Sequence, residues 1–275
     1  MNQQKNVIKI RTAAQMEAAA AADNFEPHCT KCFRPAKTCY CKYIQPVKTG
    51  VKFVFLMHPK EAYKQRTGTG RLAQLTLVDS EIIVGVDFTQ NSRVNALINN
   101  PDYIPLLLYP GEDAFSAQSF ADYAQTSGVL QNAQTSGTKQ LLVFVVDSTW
   151  FFAKKMLRLS PNVKNLQKLS FTSAYRSQFK FKTQPAAECL STIESCYYLI
   201  KELQAAGLTQ PCNPEPLMAI FKRMVDFQLE SQAIREQSGE ADRYQASGSL
   251  RAKKRALREQ QQMESEKKGS KNSCF

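Results

Sequence analysis

The chain has 275 residues, a mass of 31.0 kDa and an ordinary composition, with 43% hydrophobic and 22% charged residues. These values exclude a wholly disordered chain, a collagen-like repeat and a coiled-coil rod. Its 36 Lys and Arg residues outnumber its 24 Asp and Glu residues, which gives a net charge of +12. Such an excess can serve general solubility, but it favours a polyanionic partner such as a nucleic acid.

A polar, Ala-rich arm occupies residues 1–27, in which RTAAQMEAAAAA is consistent with one short helix. The arm contains no hydrophobic core of a signal peptide. The longest apolar run in the chain, residues 141–146, is far shorter than the roughly 18 residues that cross a bilayer. We therefore expect a cytoplasmic protein without a membrane partner.

Four of the eight cysteines follow the arm within residues 28–48, as Cys29, Cys32, Cys39 and Cys41. In a reducing compartment such a cluster indicates a metal site rather than disulfides. Four thiolates from two short loops are typical of a tetrahedral Zn²⁺ site, whose role is structural because no coordination position stays open. Iron–sulfur ligation and buried free thiols are the alternatives.

Apolar strands alternate with helices over residues 49–236, which we expect to form the main folded domain. Strands are predicted at 51–57, 81–88, 103–109, 141–147 and 168–171. Helices are predicted at about 114–125, 150–159, 191–206 and 215–234, and the residues after the first strand are expected to form a loop. Strands that are apolar throughout predict an α/β fold, a parallel sheet with helices on both faces.

The loop after the first strand carries a candidate anion site, because α/β sheets place ligands at the carboxyl ends of their strands. Gly68 and Gly70 let the backbone turn closely, and Arg66 and Arg71 offer two guanidinium groups to a phosphate or carboxylate. The Thr-Gly-Thr-Gly run is not a dinucleotide-binding fingerprint. A plain turn with solvated arginines explains these residues equally well.

Asp147 ends the fourth predicted strand and is followed by Ser-Thr-Trp. Asp is a favoured helix N-cap, and a helix follows, so a purely structural role is one interpretation. In the other, the carboxylate and the chain's only tryptophan, Trp150, activate and hold a nucleobase. Lys154, Lys155 and Arg158 on the same helix would then face phosphates.

The next long helix begins with Ser191-Thr192-Ile193-Glu194. Ser-x-x-Glu is a capping box, which is sufficient as a structural explanation. A helix N-terminus with free amides and hydroxyls is equally suited to bind a carboxylate or phosphate. These residues alone do not decide between the two.

Five segments, taken in order, resemble the DTW-domain family, which contains the tRNA-uridine aminocarboxypropyltransferases. They are CTKCFRPAKTCYC, HPKEAYKQRTGTGRLA, LLYPGEDA, VDSTWFFAKKM, and YRSQFKFKTQ with CLSTIES. The resemblance spans about residues 28–230. The cysteine signature with its Arg-Pro, and Asp-x-Thr-Trp after an apolar strand, are specific when found together. One departure is Gly68, where the family pattern has Asn.

The resemblance implies a SPOUT-like α/β fold with a C-terminal trefoil knot, and residues 49–236 as the catalytic domain. It also implies S-adenosylmethionine as a donor whose 3-amino-3-carboxypropyl group passes to N3 of a uridine, leaving methylthioadenosine. Bacterial members are similar in acting on the tRNA variable loop and eukaryotic members on the D-loop. We therefore expect tRNA as the partner, Zn²⁺ as a structural ion, and no DNA partner.

For the reaction that the resemblance implies, Asp147 is the candidate general base, because uridine N3 is a poor nucleophile until it loses its proton. Trp150 is expected to stack on the uracil or to wall the donor pocket. The residues expected to bind the donor are Leu108, Tyr109, Pro110, Gly111, Asp147, Thr149, Leu190, Ser191, Thr192 and Glu194. The residues expected to contact RNA are Arg66, Thr69, Arg71, Lys154, Lys155 and Arg176, of which Arg71 and Arg176 suit the donor carboxylate equally well.

Three rival functions share parts of this pattern. They are a SPOUT-type RNA methyltransferase, an aminocarboxypropyltransferase acting on ribosomal RNA, and a zinc-containing RNA-binding protein without catalysis. The tail over residues 237–275, a solvated helix or a flexible arm, carries eight Lys and Arg but three Glu between 249 and 271. We expect this tail to add nonspecific affinity for RNA.

Overall fold

The computed structural model describes residues 28–64, 67–131, 137–171, 175–179 and 189–238. The predicted helix of the N-terminal arm and nearly all of the basic tail lie outside these residues. The chain divides into two compact units, the first formed by Met1–Gln178 and Gln184–Lys222, the second by Phe179–Thr183 and Arg223–Phe275. The first unit contains the cysteine segment and the sheet.

Five parallel strands form one sheet in the order β2-β1-β4-β3-β5. The α/β class and the parallel sheet predicted from the apolar runs are thereby confirmed. β1 pairs with β4 so that Met57 lies opposite Asp147, and both strands end at the same edge. The strands are β1 (Lys52–Met57), β2 (Ser80–Val84), β3 (Tyr103–Leu108), β4 (Gln140–Asp147) and β5 (Gln167–Leu169).

The central strands are apolar throughout because both of their faces are buried. On one face, Val54 and Phe144 pack in a core cluster with Val94, Met156 and Val163. On the other face, Phe53 is fully buried. The helices are α1 (Pro59–Lys64), α2 (Thr69–Thr76), α3 (Ser92–Ile98), α4 (Ala117–Ser127), α5 (Trp150–Leu159), α6 (Pro161–Lys164), α7 (Thr192–Ala205) and α8 (Glu215–Gln237).

The segment after β1 is not the predicted loop, because it forms α1 and α2. These helices have six and eight residues. Helices this short contain too few turns to show a clear hydrophobic periodicity in the sequence. They are also marginal in isolation, so they depend on tertiary contacts. The short helices α3 and α6 were not predicted either.

The second strand ends at Val84 rather than at the predicted residue 88. The buried Phe88 belongs to the core cluster, but its backbone N–H donates to Ser160 Oγ at 2.9 Å instead of to a strand. Its apolar character therefore reflects burial in a turn and not membership of the sheet.

The second unit, in its described part, consists of Phe179 and the C-terminal portion of α8, where Met224 and Val225 are buried. Among the described residues, no helix combines the length and the apolar character needed to cross a membrane. The trefoil knot stays a prediction, since residues 180–188 lie outside the described part of the chain.

Candidate functional site

The four clustered cysteines converge on one point, as their spacing predicts. Their Sγ atoms all lie within 4.8 Å of one another. Cys29 and Cys41 are 3.7 Å apart, and Cys32 and Cys39 are 3.6 Å apart. Thiolates placed ~2.3 Å from a tetrahedral Zn²⁺ would be ~3.8 Å apart. The cluster therefore fits a four-coordinate metal ion such as zinc.

The local backbone prepares one of these thiols for metal binding. The N–H groups of Cys32 and Lys31 donate hydrogen bonds to the Cys29 sulfur and lower the pKa of that thiol to about 6. Since the thiolate is the metal-binding form, this turn favours coordination near neutral pH. Burial, by contrast, raises the pKa of Cys41.

Phe33 joins the cysteine segment to helix α2. It has a positive φ of 56°, unusual for a side chain of this size, and its N–H donates to Cys29 O at 2.8 Å. The Arg71 guanidinium lies 4.2 Å from the centroid of the Phe33 ring and donates to Ala62 O at 3.3 Å. Burial lowers the pKa of Arg71, while the nearby charges of Asp147 and Cys32 oppose that shift. Arg71 is thus electrostatically coupled to both the cysteine cluster and Asp147.

Asp147 is almost fully buried at the end of β4. Its Oδ1 accepts a hydrogen bond from Thr192 Oγ1 at 2.6 Å, which links the sheet to the first turn of α7. Gly70 lies so close that a Cβ there would be 2.3 Å from Asp147 Oδ2. The N-cap of α5 is Thr149, so Asp147 does not serve as the helix cap that was one interpretation of its position.

A cavity of about 630 Å³ opens at the carboxyl ends of β3, β4 and β5, a volume within the range of small-molecule sites. Five residues predicted to bind the donor line it: Leu108, Tyr109, Pro110, Leu190 and Thr192. Trp150 lines it as well. Its remaining walls are Val145, Val146, Ser148, Ala153, Leu169, Ser170, Phe171, Tyr175, Cys189 and Ser195.

Sequence reasoning missed the contribution of β5 to this cavity. The sequence predicts a strand at 168–171, and the structure has it at Gln167–Leu169, but nothing in its pattern predicts that it pairs with β3. Tyr175 is another of the lining residues that it missed; its ring stacks on Tyr198 with centroids 3.8 Å apart, and its hydroxyl donates to Glu202 at 3.0 Å. The only available signal was the position of Tyr175 in the YRSQ run.

Other predicted donor-binding residues do not line the cavity in the described structure. Glu194 is fully buried and accepts from Ser191 N at 2.8 Å, which is its part of the capping box, and from Ser191 Oγ at 2.6 Å. It also accepts from Ser177 Oγ at 2.8 Å and Gln178 N at 2.6 Å. Glu194 therefore fastens the segment around Ser177 to the start of α7. Gly111, Asp147, Thr149 and Ser191 are next to lining residues but do not line the cavity themselves.

The residues predicted to contact RNA fall in different places. Lys154, Lys155 and Arg176 are exposed, whereas Thr69 is buried in the first turn of α2. The Arg71 guanidinium contacts the Phe33 ring and donates to Ala62 O. Arg66 lies outside the described residues.

His58, which the sequence did not single out, lies beside Asp147 at the end of β1. The backbone N–H of His58 donates to the backbone carbonyl of Asp147 at 3.1 Å, and the imidazole Nδ1 accepts from Lys60 N at 3.1 Å. Its ring stacks on Phe152 with centroids 4.3 Å apart. Burial, together with the charges of Lys60 and Lys155, lowers the pKa of His58.

The DTW-domain family model matches residues 26–229. Three curated relatives carry the name tRNA-uridine aminocarboxypropyltransferase. The Drosophila melanogaster protein, numbered 2, is 27% identical over 81% of this chain and 83% of its own length. The Mus musculus protein, also numbered 2, is 24% identical over 74% of this chain and 64% of its own length.

The Arabidopsis thaliana protein, designated A, is 22% identical over 78% of this chain and 86% of its own length. Among solved structures, none matches the chain significantly. The family match covers most of the chain, including the cysteine cluster, β1 to β5 and the cavity. The chain belongs to the DTW-domain family.

Proposed function

We propose that this protein transfers the 3-amino-3-carboxypropyl group of S-adenosylmethionine to N3 of a uridine in tRNA and releases methylthioadenosine. The observation that carries the proposal is the buried carboxylate of Asp147, which Thr192 links to the cavity. The names of the curated relatives support the substrate and the transferred group. The SPOUT-like fold with its knot is part of the same proposal.

The first chemical task is removal of the proton from uridine N3. Asp147 is the proposed general base, but its side chain is nearly buried, whereas Thr192 lines the cavity and its hydroxyl donates to Asp147. The proton therefore moves in relay. N3 gives its proton to Thr192 Oγ1 as that hydroxyl gives its own proton to Asp147 Oδ1.

The second task is transfer to carbon. The deprotonated N3 attacks the methylene carbon that joins the aminocarboxypropyl group to sulfur, and the C–S bond breaks with its electron pair remaining on sulfur. Neutral methylthioadenosine leaves, and Asp147 later returns its proton to solvent. The sulfonium is already a good leaving group, so the protein mainly brings N3 and the correct carbon to about 3–3.5 Å.

The cavity walls supply this positioning. Tyr109 and Pro110 follow β3, and Leu190 precedes α7, so they enclose the donor from two sides. Trp150 is 38% exposed and lies 5.9 Å from Tyr109 between ring centroids. It is placed to receive the uracil at the mouth of the same cavity. Arg176 is exposed and suits the donor carboxylate or a tRNA phosphate equally.

The metal has no step in this reaction. Cys29, Cys32, Cys39 and Cys41 would hold Zn²⁺ with four protein ligands, which makes the ion a structural cross-link. The ion would influence Asp147 indirectly, through the contact of Phe33 with Arg71 and the interaction of the Arg71 charge with Asp147.

Nucleoside mass spectrometry tests the proposal. Unmodified tRNA, the protein and S-adenosylmethionine should yield an aminocarboxypropyl adduct on uridine together with methylthioadenosine. A methyl adduct would show that the protein is a methyltransferase with the same donor. An adduct on ribosomal RNA but not on tRNA would show that ribosomal RNA is the substrate. The absence of an adduct on either RNA would favour an RNA-binding protein without catalysis.

Three variants test the proton route. Asp147→Asn should lower kcat about 10²–10⁴-fold while donor affinity, measured by calorimetry, changes little. Thr192→Val should lose most of kcat, and Thr192→Ser should retain it because the hydroxyl is kept. Full turnover by Asp147→Asn would remove Asp147 as the base, and full turnover by Thr192→Val would remove the relay.

A further inference from the structure

Four exposed aromatic side chains lie on three segments near the candidate site, namely the cysteine segment, α1 and the first turn of α5. We name them the aromatic face: Phe33, Tyr63, Trp150 and Phe151, with exposures of 57%, 78%, 38% and 75%. Rings of this size are normally covered by the protein itself. A concentration of exposed apolar surface beside a cavity indicates a partner.

Contacts between α1 and α5 relate three members of this face, Tyr63, Trp150 and Phe151, whereas Phe33 contacts Arg71 of α2. Lys60 Nζ lies 4.5 Å from the centroid of the Phe152 ring, and that ring packs edge-on against Phe151 at 5.3 Å. Tyr63 lies three residues after Lys60 and so projects from the same side of α1. Trp150 precedes Phe151 and lines the cavity itself.

The exposed side of α5 continues the aromatic face with positive charge. Phe151, Lys154, Lys155 and Arg158 are all exposed, at the i, i+3, i+4 and i+7 spacing that forms one stripe on a helix. The opposite side buries Ala153, Met156 and Leu157 in the core. The helix WFFAKKMLRL contains no acidic residue, so the stripe is uniformly basic.

We propose that Phe151 stacks on an unpaired base next to the target uridine, while Lys154, Lys155 and Arg158 hold the phosphates that follow it. Phosphate binding alone requires charge and does not require exposed rings. Exposed rings beside charges are the features with which proteins bind single-stranded nucleic acid, because every unpaired base has a free face. The position of this base next to the modified uridine rests on the proposed function, whereas the stacking of Phe151 on an unpaired base does not.

A second copy of this chain suits the surface less well. It would bring the same basic stripe against itself, and the whole chain carries +12. Like charges at a contact oppose association, whereas the phosphates of RNA complement them. The partner that fits is thus a looped or unpaired RNA strand rather than a duplex or a protein.

The test measures RNA binding by fluorescence anisotropy without any donor present. The probes are a labelled RNA hairpin with a uridine in its unpaired loop and a fully paired RNA duplex of the same length. Phe151→Ala should weaken binding of the hairpin about 10-fold, equivalent to about 1.4 kcal/mol, and leave duplex binding unchanged. Phe151→Tyr should restore hairpin binding, and Phe151→Leu should not, since a leucine is apolar but offers no ring.

Val78→Ala is the matched control. Val78 is also an exposed apolar residue, but it precedes β2 and so lies at the amino ends of the parallel strands, whereas α5 begins after the carboxyl end of β4. Its loss should change neither probe's affinity. The double variant Lys154→Ala with Lys155→Ala should reduce the slope of log affinity against log salt by about 1.4, that is ~0.7 per lost phosphate contact.

Three results would overturn the inference: unchanged hairpin affinity in Phe151→Ala, equal weakening of hairpin and duplex, or loss of a dimer in sedimentation of that variant. Because the binding assay needs no turnover, it separates this inference from the proposed function. Ring-dependent loop binding without uridine modification would contradict the function alone. Uridine modification with an unchanged KM for RNA in Phe151→Ala would contradict the inference alone.

Discussion

Gly70 allows the first turn of α2 to lie directly against the Asp147 carboxylate. A Cβ at this position would be 2.3 Å from Oδ2 and 2.5 Å from Cγ, closer than real Cβ atoms come to their neighbours. Asp147 cannot simply turn away, because it is buried and bonded to Thr192. The glycine is therefore needed for space and not for an unusual φ.

Gly70→Ala should reduce the free energy of unfolding by about 1–3 kcal/mol, since overpacking a well-filled site displaces its neighbours. Urea denaturation measures this loss. Gly111→Ala is the control, because its close contact, at 2.8 Å, would be with the far end of the exposed Asp113 side chain, and the Lys168 side chain would lie at an ordinary distance of 3.5 Å. Equal stability of the two variants would show that Asp147 moves freely and would weaken its assignment as a positioned base.

His58 should make the stability of the protein depend on pH. Its pKa is lower in the folded state than the ordinary value of about 6.5, so below that pH the unfolded chain binds a proton that the folded chain excludes. The free energy of unfolding should consequently fall as pH decreases through this range and be regained as pH rises.

His58→Asn should flatten this dependence, because Asn keeps an acceptor for the Lys60 N–H but does not titrate. Urea denaturation between about pH 7.5 and about pH 5.5 provides the comparison. The chain's other histidine, the exposed His28, is the matched control, and His28→Asn should behave like the parent protein. A parent-like pH dependence in His58→Asn would assign the effect to other groups.

At the scale of elements, the contact of Phe33 with Arg71 links the cysteine segment to α2. The turn that brings Cys29 near Cys32 also holds Phe33 at positive φ, against the Arg71 guanidinium. Arg71 follows Gly70 in the same helical turn, and its charge reaches Asp147. A change in the cysteine cluster is therefore expected to affect the candidate site as well as local stability.

Cys32→Ser should abolish stoichiometric metal, measured by atomic emission, and lower the melting temperature. The physical reason is that a structural metal contributes its binding free energy to folding only when all four ligands are present. Cys212→Ser, which alters a partly buried cysteine outside the cluster, should keep the metal. Unchanged metal content in Cys32→Ser would contradict the metal site.

Glu194 shows how one buried carboxylate can organise two elements. As a capping box it closes the N-terminus of α7, and through Ser177 and Gln178 it anchors the segment that brings Tyr175 to the cavity. Its four donors satisfy both carboxylate oxygens. We therefore assign to Glu194 the positioning of the cavity wall, and its direct contact with a donor stays a prediction.

At the scale of the whole molecule, the excess of positive charge should control how strongly RNA binding depends on salt. The tail contributes eight Lys and Arg against three Glu between residues 249 and 271. Deleting residues 239–275 should reduce the slope of log affinity against log salt, because fewer counterions are released on binding. Anisotropy titrations at several salt concentrations measure the slope.

The same truncated protein should still prefer the hairpin over the duplex, since that preference is assigned to Phe151 and not to the tail. An unchanged slope would show that the tail does not contact RNA. If the truncated protein lost its preference for the hairpin over the duplex, the tail would contribute more than nonspecific charge.

Local patterns in the sequence determined much of this protein. The apolar runs of β1, β3 and β4 predicted buried parallel strands, because residues buried on both faces leave no alternation. The spacing from Cys29 to Cys41 predicted the cluster, since a few residues span only a short distance. The Ser191–Glu194 pattern predicted the cap that the structure contains.

Only the tertiary structure decided which residues meet. The strand order places β5 beside β3 and so brings Leu169 and Phe171 into the cavity, although the sequence predicts only that a strand forms there and not which strand it pairs with. The hydrogen bond from Thr192 to Asp147 joins residues 45 positions apart. Periodicity reports which face of an element is buried, but it carries no information about the partner, because that depends on packing between distant segments.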